Sequence, residues 1–268
     1  MNSLLRSNNF LLAINDLKCG VCSVNLWRML GWQEIRQRYR RSTLGPLWLT
    51  ISTGFLVGAM GPLYGSLLNQ ELTEYFPYLA VSLVTWLLLS NTISELCTSF
   101  ILAEGFIKQI KLPLTIHVLR VIWKNQIIFA HNLLIVALVL FFFPPPITLN
   151  LLLFPIALFF VAVNFVWLGI LLGLMCARFR DIPQIVGSLL QVALFVTPIM
   201  WKAEMLGRNI NAAKINPIFH FLEIVRQPLL GGFVPVFSWE IVIAITCCGY
   251  LVSLAVFARF RANIAYWV

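Results

Sequence analysis

Long stretches without a charged residue constrain this chain most. No Asp, Glu, Lys or Arg occurs in residues 42–70 or in residues 125–177. A helix needs about 20 apolar residues to cross the hydrocarbon core of a bilayer, so both stretches are long enough. Charged residues make up 11% of the chain, against roughly 25% in soluble domains. The sequence therefore predicts an all-α integral membrane protein.

Six transmembrane helices are predicted from the apolar blocks and the residues that interrupt them. Pro144, Pro145 and Pro146 divide the second charge-free stretch, because consecutive prolines cannot continue a helix. A charged turn at residues 178–181 and a polar segment at residues 202–234 separate the later blocks. Within one transmembrane domain, residues 1–268, the predicted spans are residues 47–68, 76–93, 127–143, 151–176, 184–200 and 241–258.

The distribution of basic residues predicts the orientation. All but four of the 19 Lys and Arg residues flank the spans on one side, and the four exceptions are Lys202, Arg208, Lys214 and Arg226. Positive residues concentrate on the cytoplasmic side of membrane proteins. Both termini are therefore predicted in the cytoplasm, and residues 202–234 in the periplasm. The net charge of +9 follows from this arrangement and does not indicate nucleic-acid binding.

Residues 25–41 are predicted to form an amphipathic helix at the membrane surface. Trp32, Ile35 and Tyr39 recur at helical spacing. A basic cluster in the same segment can lie among lipid headgroups, and it consists of Arg36, Arg38, Arg40 and Arg41.

Residues 104–124, here called the elbow, lie between the second and third predicted spans. The segment is too polar for lipid and too long for a turn. Pro113 is expected to divide it into two short amphipathic helices, because proline removes a backbone donor and clashes with the preceding turn. Two interpretations are open: the elbow docks a soluble partner, or it is a basic helix that binds anionic lipid.

Residues 202–234 are predicted to form one or two short helices in or on the outer leaflet. Asn216 is a typical N-cap, and Pro217 suits the first helical position. The residues that follow divide into an apolar face and a polar remainder. The apolar face holds Ile218, Phe221, Leu222 and Val225, and the polar remainder holds His220, Glu223 and Arg226.

Catalytic motifs are not found in the sequence. No phosphate-binding G-x-x-x-x-G-K-[ST] motif occurs, so this chain is not expected to bind ATP itself. Cys19 and Cys22 form a C-x-x-C pair without a second pair nearby, and no metal site is predicted. No charged residue lies inside a predicted span, whereas ion-coupled transporters keep such residues. Energy for transport would therefore enter from another subunit.

Four features together resemble a known family. They are the basic helix at residues 25–41, the elbow with residues 107–113, the turn Arg178-Phe179-Arg180-Asp181, and the Asn216-Pro217 helix with Glu223 and Arg226. The chain resembles the ABC-2 type membrane subunits of polysaccharide exporters, which are the permeases for O-antigen, capsule and teichoic acid. The resemblance covers residues 25–261.

The resemblance implies a homodimer with two copies of a separate nucleotide-binding ATPase subunit, which binds ATP and Mg. This chain would then carry no cofactor and no enzyme activity. It would move an undecaprenyl-linked glycan, with O-antigen favoured, from cytoplasm to periplasm across the bacterial inner membrane. Coupling to the ATPase is assigned to Lys108, Lys111 and Pro113 of the elbow and to Glu34 and Arg36. Asn216, Pro217, Glu223 and Arg226 would belong to periplasmic helices that cap the channel exit.

A glycan channel needs walls that bind sugars weakly. Aromatic rings can stack on the apolar faces of sugars, and conduction requires that binding be weak enough for release. The candidate channel residues are Trp48, Phe55, Tyr64, Trp86, Phe195 and Trp201. Interfacial anchoring and ordinary packing are the alternative roles for these rings.

Two other functions are weighed against glycan export. An ABC-2 exporter of a lipid or hydrophobic drug would share the elbow and spans, but would have a smooth apolar cleft open to lipid. A membrane enzyme acting on polyprenyl-phosphate sugars needs acidic residues at the membrane face. Only Glu95, Glu104 and Asp181 flank the predicted spans on the cytoplasmic side, without D-x-D spacing, which argues against the enzyme.

Overall fold

The computed structural model describes residues 2–38, 40, 45 and 47–268, with no side-chain description for residues 2–8 and 38. The predictions for Tyr39 and Arg41, and for the side chain of Arg38, lie outside the described residues. Every regular element in the described part is helical, which confirms the all-α prediction.

The α-helices are α1 (Asn2–Cys22), α2 (Val24–Arg38), α3 (Leu47–Leu67), α4 (Leu72–Cys97), α5 (Glu104–Gln109), α6 (Thr115–Phe142), α7 (Leu153–Arg178), α8 (Ile182–Val196), α9 (Ile210–Ile215), α10 (Pro217–Leu229), α11 (Val236–Phe260) and α12 (Ile264–Trp267). Short 3₁₀ segments lie at Ile101–Ala103, Leu149–Leu152, Ala203–Asn209 and Arg261–Asn263.

Five helical segments in the described part are long and apolar enough to cross a membrane. They are Leu47–Leu67, Leu72–Cys97, Thr115–Phe142, Leu149–Arg178 and Val236–Trp267. Each overlaps one predicted span, because a charge-free apolar stretch of this length forms a helix that satisfies its own backbone in lipid.

The sixth predicted span, residues 184–200, is not confirmed. α8 has 15 residues, so it is about 22 Å long, shorter than the hydrocarbon core of about 30 Å. The helix ends because Pro198 disfavours the helical conformation of the preceding residue, and Thr197 is extended with φ −86° and ψ 137°. Residues 197–202 continue without regular helix.

The elbow also differs from the prediction of two short helices. Its first half is α5, and residues 110–114 form a break around Pro113. Its second half is the start of α6, which runs on without interruption to Phe142. The helix continues because no proline follows Pro113 until Pro144, and because Ile116 and Val118 are fully buried against neighbouring helices.

α4 is the central helix of the bundle. Of the most apolar part of α4, 72% is buried, compared with 22–28% in the other four long helices. It contacts α3, α6, α7, α8 and α10, which surround it. A helix that is apolar on most of its surface is typical of such a central position. α1 and α2 lie outside this group, α1 against α11 and α6 and α2 against α6.

Close approach of α7 to its neighbours depends on small residues. A Cβ atom added at Gly169 would lie 2.6 Å from Val118 Cγ1 and 2.7 Å from Leu96 Cδ2. Small residues allow helices in membranes to pack backbone against side chain in this way. Gly169 therefore fixes the spacing between α7 and both α4 and α6.

We expect Gly169→Ala to destabilise the bundle by about 1–3 kcal/mol, the usual cost of overpacking a filled interior. Gly58→Ala in α3 is the matched control, because nothing lies within 4 Å of a Cβ at that position. The measurement is the melting temperature of the detergent-purified protein. Equal melting temperatures for the two variants would contradict the proposed spacing role of Gly169.

Candidate functional site

Three exposed apolar side chains lie in the elbow and just before it, at one end of the bundle. Leu102, Phe106 and Ile110 are spaced by four residues, and their exposed fractions are 74%, 41% and 50%. Exposed apolar clusters of this kind mark interaction sites with proteins or membranes. This end of the bundle, which also holds α1, α2 and α12, is called the elbow end below.

The charged residues of the elbow differ in their surroundings. Lys108 forms an ion pair with Glu104 at 2.6 Å, and its hydrogen bond and charge lower the pKa of the exposed Glu104 carboxyl. Lys111 is exposed and forms no ion pair with any described carboxylate. Pro113 is half-buried within the break. Lys111 therefore has a side chain that is available to a partner, whereas Lys108 already has one.

Glu34 links α2 to α6 through ion pairs. Its carboxylate lies 3.1 Å from Arg120 Nη1 and 2.8 Å from Lys124 Nζ. Lys124 also pairs with Glu95 of α4 at 3.0 Å. These side chains are mostly buried, so the contacts are screened less than surface pairs. Arg36, by contrast, is exposed on the outer side of α2.

The turn after α7 holds the C-terminal helix α12. The Arg178 guanidinium lies over the ring of Trp267, 5.0 Å from its centroid, and Arg180 Nη2 donates to the Trp267 carbonyl at 3.3 Å. Phe179 between them is exposed. The two arginines of the turn therefore have packing roles within the chain.

Asn216 has the predicted N-cap geometry. Its Oδ1 accepts a hydrogen bond from the backbone N–H of Ile218 at 3.0 Å, and Pro217 occupies the first turn. Its Nδ2 also donates to the Thr197 hydroxyl at 2.7 Å. The prediction of an N-cap is confirmed, and the same side chain ties the start of α10 to the end of α8.

α10 packs within the bundle through its polar side as well as its apolar face, and its place in or on the outer leaflet stays a prediction. Glu223 and Arg226 have side chains only 10% and 2% exposed, and they form an ion pair inside the bundle. Gln227 Nε2 donates to Glu223 Oε2 at 2.7 Å. Burial is the largest single influence and lowers the pKa of Arg226. The charge and hydrogen bond of Glu223, with contributions from Tyr78 and Glu204, together outweigh it, so the net shift of the pKa is upward. The polar side of α10 therefore points inward, because it has charged and hydrogen-bonding partners there.

Arg226 and two tyrosines bind the non-helical segment after α8. Arg226 Nη1 donates to the Pro198 carbonyl at 2.9 Å, and the Tyr78 hydroxyl donates to the same carbonyl at 3.0 Å. The Tyr75 hydroxyl donates to the Met200 carbonyl at 2.5 Å. Irregular backbone at membrane depth is tolerated only where protein or water satisfies it. This end of the bundle is called the α10 end below.

Sequence reasoning missed this cluster of Tyr75, Tyr78, Ser82, Glu223 and Arg226. The tyrosines and Ser82 lie in or beside the second predicted span, and no role was predicted for them. Arg226 Nη1 donates to the Ser82 hydroxyl at 3.1 Å. Their spacing of three and four residues was the available signal, because a buried Tyr hydroxyl usually has a hydrogen-bond partner. The guanidinium of Arg226 lies 4.4 Å from the centroid of the Tyr78 ring and completes the packing.

Two of the candidate channel residues share an exposed face of α3. Trp48 and Phe55 are 55% and 76% exposed, and exposed Ser52 lies between them on the same side of the helix. Tyr64 points away from this face and is half-buried. The other side of α3 packs on α4 and α6 through Thr53, Val57 and Gly61.

α8 has no buried residue and exposes two different stripes. The first carries an aromatic ring and three uncharged polar side chains, at helical spacings of four, three and four: Gln184, Ser188, Gln191 and Phe195. The second lies about 100° further round the helix and is wholly apolar: Ile185, Leu189, Val192 and Val196. The first is called the polar stripe below and the second the apolar stripe.

The remaining two candidates lie apart from these faces. Trp201 Nε1 donates to the Phe195 carbonyl at 3.1 Å, so the structure places Trp201 at the end of α8. Trp86 is only 5% exposed and borders an apolar cavity of about 300 Å³ between α4, α7, α10 and α11. Of the six candidates, the structure therefore brings Trp48 near Phe55 and Phe195 near Trp201.

An apolar cleft separates α3 from α6. Its volume is about 500 Å³, and its walls include Gly54, Phe55, Phe76, Ile135, Leu138 and Phe142. No charged side chain borders it among the described residues. Such a cleft suits hydrocarbon and offers nothing to a sugar hydroxyl.

The ABC-2 type transporter family matches residues 25–230. The chain belongs to this family. A curated relative, the O-antigen export system permease protein RfbA of Myxococcus xanthus, is 21% identical over 169 residues. The aligned part covers 63% of this chain and 65% of the relative. The resemblance drawn from the elbow, the charged turn and the Asn216–Pro217 helix is therefore confirmed at the level of the family.

The family match describes a multi-pass membrane protein and covers α2 through α10. It therefore includes the elbow, the exposed faces of α3 and α8, and the polar cluster at the α10 end. α1, α11 and α12 of this ABC-2 chain lie outside the matched residues.

We expect Arg226→Met to destabilise the protein by about 3–5 kcal/mol, because removing one partner of a buried ion pair leaves the other charge uncompensated. The double variant Arg226→Met with Glu223→Leu should recover part of this loss, since no buried charge then remains. Arg208→Met, on an exposed residue at the same end, is the control. The measurement is the melting temperature of the purified protein.

A double variant no more stable than Arg226→Met would show that the hydrogen bonds to residues 197–201 matter more than the ion pair. A single variant as stable as the Arg208→Met control would contradict the role of Arg226 altogether.

Proposed function

We propose that this chain is the membrane subunit of an ATP-driven exporter of lipid-linked polysaccharide, with O-antigen as the first candidate. It acts as a homodimer with two copies of a separate nucleotide-binding subunit, which binds ATP and Mg. An undecaprenyl-linked glycan moves from the cytoplasm to the periplasm across the bacterial inner membrane. The elbow end and both termini lie in the cytoplasm, and the α10 end faces the periplasm. The name of the Myxococcus xanthus relative supports this choice of substrate.

The polar stripe of α8 is the observation that carries the proposal. Gln184, Ser188 and Gln191 offer uncharged donors and acceptors for sugar hydroxyls, and Phe195 offers a ring for the apolar face of a sugar. None of these groups is charged, so binding at each step is weak enough for release. A lipid-facing helix has no need of three exposed polar side chains in one line.

The exposed face of α3 combines aromatic and uncharged polar groups, as the polar stripe of α8 does. Trp48, Ser52 and Phe55 combine rings with a hydroxyl group, and they lie outside the core of the protomer. We place this face and the polar stripe on the two walls of a channel that a second copy of the chain completes. Trp201 then lies at the periplasmic end of the wall, and Tyr64 and Trp86 support the walls from within the protomer.

Export of a lipid or hydrophobic drug is the second candidate. The apolar cleft between α3 and α6 favours it, because its walls suit a hydrocarbon chain. A lipid-linked glycan also carries a hydrocarbon chain, so the cleft alone does not distinguish the two substrates. The polar stripe does distinguish the two substrates, since a hydrophobic drug has few groups that could hydrogen-bond to it.

We expect the double variant Gln191→Leu with Phe195→Ala to reduce glycan export several-fold, because one aromatic platform and one amide are lost together, each worth about 1 kcal/mol. The matched control is Leu189→Ala with Val196→Ala on the apolar stripe. The measurement is surface polysaccharide normalised to membrane-inserted protein. Equal export by both double variants would exclude the polar stripe from the glycan path and would favour the lipid or drug candidate.

Energy enters through the elbow in this proposal. Leu102, Phe106 and Ile110 supply an apolar contact for the ATPase subunit, and Lys111 supplies an unpaired positive charge beside it. Interfaces commonly combine a buried aromatic or aliphatic centre with charged residues at the rim. Arg36 lies exposed on α2 and extends the basic surface, while Glu34 holds α2 in place.

We expect Phe106→Ala with Lys111→Glu to weaken co-purification of the ATPase subunit by about tenfold or more, as loss of one interface anchor does. Lys108→Glu should have a smaller effect on docking, because Lys108 is already paired with Glu104. Arg208→Glu at the α10 end is the control for a charge reversal elsewhere. Full recovery of the ATPase with the elbow variant, together with unchanged ATP hydrolysis, would exclude docking and leave lipid binding as the role of the elbow.

A further inference from the structure

A buried aspartate of α1 holds the start of α6. The side chain of Asp16 has no solvent exposure. Its Oδ1 accepts from the backbone N–H of Thr115 at 3.0 Å and from the Thr115 hydroxyl at 2.9 Å, and its Oδ2 accepts from the N–H of Leu114 at 3.1 Å. The donors belong to Leu114, the last residue of the break, and to Thr115, the first residue of α6, both far from Asp16 along the chain.

The same carboxylate binds the end of α11. Arg261 Nε donates to Asp16 Oδ2 at 2.9 Å, and Arg261 Nη2 lies 2.8 Å from the same oxygen. Asp16 therefore joins three parts of the protein at one point: α1, the elbow, and the segment that follows α11.

This arrangement supplies a cap that α6 lacks. The first N–H groups of a helix have no partner within the helix, and the N-cap residue of α6, Leu114, offers no side-chain acceptor. A carboxylate at this place satisfies two of those donors and interacts favourably with the helix dipole. Asp16 of α1 thus caps the N-terminus of α6 from another helix, whereas a Ser or Asp at the N-cap position usually does so.

The fit of α1 against the elbow is close beside this carboxylate. Gly20 lies one helical turn after Asp16 on the same face, and a Cβ atom there would lie only 2.7 Å from the Thr115 Cβ. Ala13, on the same face in the preceding turn, is fully buried. α1 is therefore seated on the start of α6 by shape as well as by hydrogen bonds.

We propose that Asp16 is a positioning residue for energy coupling. Residues 111–114 donate no helical hydrogen bonds, so the start of α6 is not held to α5 through a continuous helix. Asp16 fixes the far side of the break to α1 and Arg261. A force that the docked ATPase subunit applies to the elbow, and that reaches the start of α6, is then shared with α1 and α11. The inference rests on the proposed function for the source of that force, while α1 and Arg261 lie outside the family match.

The test uses the whole transporter, with both subunits, in inverted membrane vesicles that contain the undecaprenyl-linked glycan extracted from the host strain. The quantities measured are ATP hydrolysis and glycan protected inside the vesicles. Asp16→Asn keeps the shape of the side chain and one acceptor, but loses the charge and the second acceptor. We expect glycan moved per ATP hydrolysed to fall about tenfold, a factor in line with losing a charge-assisted hydrogen bond, while ATP hydrolysis stays near its normal rate.

Matched variants separate capping from the ion pair. Arg261→Lys keeps the positive charge and should couple nearly normally. The exchange Asp16→Arg with Arg261→Asp restores an ion pair but places no acceptor beside the N–H groups of Leu114 and Thr115, so it should not restore coupling. Lys18→Gln, on the exposed side of α1, is the control for the loss of a charge from the same helix.

Two results would overturn the inference. One is normal glycan movement per ATP in Asp16→Asn while the unmutated transporter moves glycan. The other is a parallel fall of ATP hydrolysis and transport with the amount of folded complex, which would mark Asp16 as purely structural. If Asp16→Asn does not assemble, Gly20→Ala tests the same contact, since its methyl group separates α1 from Thr115 and leaves Asp16 intact. Failure of the unmutated transporter to move glycan would instead refute the proposed function.

Discussion

The structure depends on one constraint: a backbone polar group that is buried away from water needs a partner within the protein. The long helices meet it by their own hydrogen bonds. Residues 197–201 do not form a helix, so their carbonyls need donors from elsewhere. Tyr75 and Tyr78 of α4 and Arg226 of α10 supply these donors. This requirement explains why α10 is buried, and why α4 carries hydroxyl groups although it is the most enclosed helix.

Each end of the bundle contains a buried charged side chain, and the two charges have opposite signs. At the α10 end, the cation Arg226 lies at the centre, with Glu223 and carbonyl groups around it. At the elbow end, the anion Asp16 lies at the centre, with backbone N–H groups and Arg261 around it. Buried ion pairs contribute little net stability, but leaving one partner unpaired is costly. Each cluster therefore favours one arrangement of its helices over others, more than it stabilises the fold.

The sequence predicted those helices and caps that depend only on residues close together in the chain. The apolar blocks predicted five long helices, and Asn216 with Pro217 predicted an N-cap, because both features depend on residues adjacent in the chain. The early end of α8 was also within reach, since Thr197 precedes a proline. The partners of Asp16 were not, because Leu114 and Arg261 lie 98 and 245 residues away. The partners of Arg226 outside α10 are also distant in the chain, Ser82 by 144 residues and Pro198 by 28, so the burial of Arg226 was not predicted.

The uninterrupted course of α6 makes it a lever. Its 28 residues form a rod of about 42 Å, with one end at the break after α5 and the other beside Phe76 of α4. A rigid rod of this length that tilts by 10° about its middle displaces each tip by about 4 Å in opposite directions. Two separate short helices, joined by a flexible hinge, would lose most of this amplitude. The absence of a second hinge in α6 therefore converts a small movement at one face of the membrane into a comparable one at the other.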